Sequence, residues 1–96
     1  MKAWLLLLLC APALAQNLNA ARSLAATCAS CHGTEGRSHN PALATLAGTQ
    51  AATLLEQLAD YRSGKRAGTV MPQIVKGYSE AQLRLIAAYF EAQARP

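Results

Sequence analysis

Aromatic residues make up only 5% of the 96 residues, as one Trp, three Tyr and one Phe. The β-branched aliphatics are confined to Val70, Val75, Ile74 and Ile86. So few strand formers argue against a sheet protein and make an all-α domain the expected fold class. Cysteine occurs three times, and Cys10 falls within an N-terminal segment that reads as a leader. The other two, Cys28 and Cys31, are so close that a bridge between them would constrain little chain entropy. The formal net charge is +4 at pH 7, with the basic residues scattered. That excludes nucleic acid as an expected partner and leans towards acidic proteins. The long apolar stretch, Ala3 to Ala11, is roughly half of what a bilayer-spanning helix needs. No transmembrane anchor is therefore expected, and no internal repeat is visible.

What is present begins with that leader. Lys2, the run Leu5 to Leu9 and the small-residue signal Ala13-Leu14-Ala15 read as a secretory signal peptide cleaved after Ala15. Residues 1–15 are then lost, and 16–96 form one domain exported to the periplasm. Acylation of Cys10 as a lipoprotein is the weaker reading, because Leu9 stands where a small residue is wanted. A domain this small seldom stabilises itself by apolar burial alone and usually carries a staple.

Three helices are predicted. The first covers about Asn19 to Cys31, with Ala21, Leu24, Ala25 and Cys28 at spacings of three and four. The second covers about Gln50 to Arg62, with Leu54, Leu58 and Tyr61 on one stripe, widened by Leu55, and Ser63-Gly64 as the stop. In the third, Ser79 and Gln82 form a capping box with Glu80 in the first turn. Leu83, Ile86, Ala87 and Phe90 then share a face. Long irregular connections at 33–48 and 63–78 separate them, and segments of such length in a small domain are usually functional.

The chemistry concentrates at Cys28-Ala29-Ser30-Cys31-His32, the attachment pattern of c-type haem. Thiols three residues apart on a helix share a face and can reach the two vinyl groups along one haem edge. His32 follows at once and offers imidazole nitrogen to iron, and Gly33 lets the backbone leave close to the macrocycle. Haem also supplies the staple and gives the two long connections something to line. With Met1 lost in the leader, Met71 is the remaining methionine, immediately before Pro72. A His–Met axial pair raises the haem potential and fills both axial positions, which suits outer-sphere electron transfer. His39 is the rival sixth ligand, and Lys65 and Lys76 are remoter ones. The second ring N–H of a ligating His normally meets a carbonyl, here expected before or at Pro41. Arg62, Arg66 and Tyr61 are candidates for the haem propionates. Arg62, Lys65, Arg66 and Lys76 bracket the Met71 segment as a docking face for an acidic partner, with a merely solvated face as the alternative.

These residues resemble the small class I c-type cytochromes of bacterial periplasms, through Cys28-Ala29-Ser30-Cys31-His32-Gly33, a proline loop, Met71 and a C-terminal amphipathic helix. The resemblance implies a cytochrome c-like fold whose first and last helices cross, with Ala20 and Leu24 meeting Leu85, Tyr89 or Phe90. Tyr61-Arg62-Ser63-Gly64-Lys65-Arg66 and Met71-Pro72-Gln73-Ile74-Val75-Lys76-Gly77-Tyr78-Ser79 are similar, more narrowly, to the monohaem cytochrome subunit of flavocytochrome c sulfide dehydrogenase. That likeness implies a flavoprotein partner that oxidises sulfide. The expected function is single-electron carriage between redox proteins by one haem c. Cys28 and Cys31 hold that haem, His32 and Met71 ligate its iron, and no residue is catalytic. The oligomeric state stays open. Two other readings remain at this point: a haem enzyme or gas sensor with an open sixth site, and a small zinc or disulfide module.

Overall fold

The computed structural model describes the backbone of residues 2–96 and the side chains of residues 16–96. Nothing in the structure bears on the expected cleavage after Ala15: the side chains of the leader, 1–15, lie outside those described. Four helices follow one another: α1 (Lys2–His32), α2 (Ala51–Ser63), α3 (Met71–Val75) and α4 (Glu80–Glu91), with a 3-10 turn at Thr34–Gly36. Among the described residues there is no strand, in keeping with the shortage of β-branched side chains. No helix among them is long and apolar enough to cross a membrane.

The apolar stripes meet as their spacing predicts. Helix α1 buries Ala21 and Ala25, and Leu24 and Cys28 pack beside the core half-buried. Helix α4 buries Leu83, Ile86, Ala87 and Phe90. Leu54 of α2 and Val75 of α3 complete the cluster. Helix α4 packs against both α1 and α2, so it is the central element of the described fold. The crossing differs in register from the expectation: Ala20 is exposed and Ala21 is buried. Ala21, Ala25 and Cys28 share one face of a 3.6-residue helix, and Ala20 points about 100° away from it.

Each helix end has an identifiable cause. At the start of α4 the Gln82 N–H donates to Ser79 Oγ at 3.1 Å, and the Ser79 N–H donates to Gln82 Oε1 at 2.9 Å. The expected capping box is therefore present. Gln50 offers no side-chain cap to α2; instead the Ala51 N–H donates to Glu91 Oε2 at 2.6 Å. A carboxylate from the end of α4 thus sits at the N-terminus of α2, where the helix dipole favours negative charge. Helix α2 stops at Gly64 in the left-handed region.

The connections are less irregular than expected. Helix α3 lies inside 63–78, and its five residues are too few to show periodicity. Pro72 in its first turn suits a position whose N–H has no intrahelical partner. The 33–48 connection is closed on itself at Gly36 and tied to α4 at Gly48. The Gly36 carbonyl accepts from the Leu46 and Ala47 N–H groups at 2.8 and 3.2 Å, and the Gly48 N–H donates to the Phe90 carbonyl at 2.9 Å. Gly36 has φ +80°, and a Cβ there would lie 2.7 Å from the Phe90 ring. Only glycine accommodates both the backbone and the contact.

Candidate functional site

Helix α1 ends at His32, so Cys28, Cys31 and His32 occupy its last turn. All three line one cavity of about 300 Å³. Met71, the first residue of α3, lines the same cavity, with Val70 and Ile74 beside it. Leu54 and Leu58 of α2, Ile86 and Phe90 of α4, and Leu43 and Leu46 of the first connection supply much of the apolar wall. Residues 39 sequence positions apart are brought together because α4 serves as a common floor for α1 and α2, and α3 packs on α2. Cys28 is half-buried and Cys31 exposed, and neither is in a disulfide. Burial pushes the Cys28 thiol above its ordinary range.

The orientation of His32 is fixed by its neighbour. Its Nδ1 lies 2.7 Å from the Ala44 carbonyl oxygen. A carbonyl can only accept, so Nδ1 carries the proton and Nε2 keeps a free lone pair. The expected acceptor was the carbonyl before or at Pro41. The Asn40 carbonyl is instead taken by Ser38 Oγ at 2.9 Å and the Leu43 N–H at 3.0 Å. That turn swings Ala44 towards the ring. Gly33, at φ +88°, makes the sharp exit after His32, and a Cβ there would lie 2.0 Å from the Arg37 carbonyl oxygen.

The other candidates separate clearly. His39, Lys65 and Lys76 are exposed, and none of them lines the cavity. Tyr61 and Arg66 do line it, with the Arg66 guanidinium 5.4 Å from the Tyr61 ring centroid, a cation–π distance. Arg62 does not. Its Nη2 donates to the carbonyl oxygens of Val75 at 3.1 Å and Tyr78 at 2.6 Å, which takes it away from the cavity and from its expected place beside the propionates. Among the described residues no group of three or more His, Cys, Asp or Glu is placed to hold a metal ion. A structural zinc site therefore has no ligand set there. Leu43, Ala44 and Leu46 were not anticipated as wall residues; a small loop with no periodic pattern gives no signal of which side chains turn inward.

The chemistry of this donor set suits a large, flat, apolar macrocycle carrying iron. Two thiols a helical turn apart can anchor it, an oriented imidazole and a thioether can approach its metal, and the wall is largely hydrocarbon. Residues 18–93 match the protein family described as Cytochrome c. The chain is 39% identical over 74 residues to cytochrome c4 of Pseudomonas aeruginosa, covering 77% of this chain and 37% of that protein. It is 37% identical over 67 residues to the cytochrome subunit of sulfide dehydrogenase of Chlorobaculum tepidum, covering 70% and 60%. Among solved structures it resembles Acidithiobacillus ferrooxidans cytochrome c4 with a TM-score of 0.63 and 35% identity, over 68% of this chain and 37% of that one. The chain thus spans less than two thirds of the length of each of these proteins.

Proposed function

The chain belongs to the cytochrome c family, with that family's fold and covalently attached haem c, and from that premise we propose that it is a monohaem electron carrier of the bacterial periplasm. Haem c supplies a single metal centre that gains and loses one electron. The residues supply the rest. Cys28 and Cys31 would hold the haem through thioethers, and His32 Nε2 and the Met71 sulfur would ligate its iron. Leu43, Leu46, Leu54, Leu58, Ile86 and Phe90 exclude water from the site, which lowers the local dielectric and favours a high potential. With His32 and Met71 both given to the iron, the group would supply one-electron exchange and no open site for a substrate, which makes the chain a carrier and not an enzyme.

The observation that supports this reading most is the convergence of Cys28, Cys31, His32 and Met71 on one apolar cavity, with His32 Nδ1 committed to the Ala44 carbonyl. The test is carbon monoxide. The reduced, undenatured holoprotein should exchange electrons with small redox dyes yet leave carbon monoxide unbound. Stoichiometric carbon monoxide binding under those conditions would instead support the open-site reading.

We infer further that its electrons come from a flavoprotein that oxidises sulfide. The support is the likeness to the Chlorobaculum tepidum cytochrome subunit and the Met71 to Ser79 segment. Sulfide should reduce the cytochrome rapidly only when a sulfide-oxidising flavoprotein is added. Equal rates with and without it would contradict this assignment and leave the carrier function standing.

A further inference from the structure

Helix α3 presents Met71 to the cavity, yet it is five residues long, and an isolated helix of that length is not stable in water. Its position is therefore set by what grips it. Two grips are visible, and both act on the segment that follows Met71. The first is Arg62 of α2. One terminal nitrogen, Nη2, carries two hydrogens and meets two carbonyl oxygens, those of Val75 and Tyr78, at 3.1 and 2.6 Å. Val75 is the last residue of α3 and is fully buried. Tyr78 directly precedes the cap of α4.

The second grip is the Tyr78 side chain. Its hydroxyl lies 2.6 Å from Thr27 Oγ1, and Thr27 Oγ1 also donates to the Leu24 carbonyl at 3.0 Å. The single Thr27 hydroxyl proton is used in that bond, so Tyr78 is the donor in the other. Thr27 is the neighbour of Cys28. A continuous chain of hydrogen bonds thus runs from α2 through Arg62 to the end of α3, and through Tyr78 to the haem-attachment turn of α1.

We propose that Arg62 and Tyr78 are positioning residues that hold the Met71 sulfur in ligating range of the haem iron. This rests on Met71 being the axial ligand. Arg62 supplies charge-assisted hydrogen bonds to main-chain carbonyls, and these are about twice as strong as neutral ones. Among the described residues its guanidinium makes no ion pair, so the two carbonyls are its polar partners. Tyr78 ties the same segment to the element that fixes the macrocycle. Met71 thereby keeps its place relative to Cys28 and His32 even though residues 63–70 ahead of it are exposed.

The test compares Arg62→Met, Arg62→Lys and Tyr78→Phe with the parent holoprotein. Two readouts are used: the weak red Met–Fe(III) absorption band during a denaturant titration followed alongside far-UV circular dichroism, and the rate of carbon monoxide binding to the reduced protein at denaturant concentrations just below the global transition, where the parent begins to open. Arg62→Met should keep its helix signal and attached haem but lose the red band well before global unfolding. It should also bind carbon monoxide roughly tenfold faster than the parent. Arg62→Lys, which restores a cation but not both hydrogen bonds, should fall between them, and Tyr78→Phe should shift both readouts in the same direction by a smaller factor. Should Arg62→Met fail to assemble, Tyr78→Phe, which removes one hydroxyl, carries the contrast alone. A red band that disappears only with the global transition in every variant, with parental carbon monoxide rates, would overturn the proposal. A parent without the band, whose spectrum Met71→Ala leaves unchanged, would overturn the ligand assignment itself.

Discussion

His32 shows how a single residue acquires a defined role from its surroundings. The Ala44 carbonyl forces the proton onto Nδ1 and leaves Nε2 free for the ligand role we propose for it. In the proposed site Met71 completes the pair from a separate element, so Met71→Ala should leave the thioether-bound haem in place, abolish the red Met–Fe(III) band and admit carbon monoxide to the reduced protein. An unchanged visible spectrum in that variant would assign the sixth position elsewhere. Gly36 is the second residue on which much depends. Gly36→Ala would place a methyl against the Phe90 ring at a backbone angle that disfavours side chains. It should lower stability by about 2 kcal/mol, measurable as a shift in the denaturant midpoint of the holoprotein. The Cys28–Cys31–His32 pattern was legible in the sequence because it is local: five consecutive residues state the chemistry. The Ala44 carbonyl was not, since every residue owns a carbonyl and only the turn at Asn40 decides which one faces the ring. Arg62 was misread for the same reason, its partners being main-chain atoms 13 and 16 residues away.

At the scale of elements, the helix ends separate what is local from what is tertiary. Helix α4 carries its own start in Ser79 and Gln82, whereas α2 borrows its cap from Glu91, forty residues along the chain. Both Ser79→Ala and Glu91→Ala should cost about 1 kcal/mol, read from thermal or denaturant unfolding. Glu91→Ala should in addition fray the first turn of α2, giving faster amide exchange there with the start of α4 unaffected. Equal exchange in both helices would remove the assigned role of Glu91. The capping box was readable because both partners lie within four residues, and the Glu91 cap was not. Helix α3 escaped for a different reason: at five residues it is shorter than the window in which a 3.6-residue period becomes visible.

The whole molecule is organised around the cavity more than around a conventional core. Only nine apolar side chains are buried among the described residues, and the largest fully buried ones are Phe90 and Val75. The lack of aromatics noted in the sequence is thus answered by the haem that the family attaches covalently. The face around Met71 is apolar at its centre and basic at its edge. Val70 is 59% exposed and Ile74 37%, and Lys65, Arg66 and Lys76 are exposed. Electron transfer with an acidic redox partner should therefore slow markedly as ionic strength rises and the Debye length shrinks. A rate flat across the salt range would show that these charges are only solvated. The all-helical class was legible from composition, and the α1–α4 crossing was legible to within one residue. Its exact register followed the Ala21, Leu24, Ala25 and Cys28 spacing and not the family resemblance, which had put Ala20 at the crossing.

The central claim is that Cys28, Cys31, His32 and Met71 make one six-coordinate haem site. It is tested most directly by visible spectra of the exported holoprotein, oxidised and reduced. The account predicts sharp reduced bands of c-type haem together with the weak red Met–Fe(III) band of the oxidised form. Haem bands without that red feature would contradict the Met71 assignment, and a colourless exported protein would contradict the account as a whole.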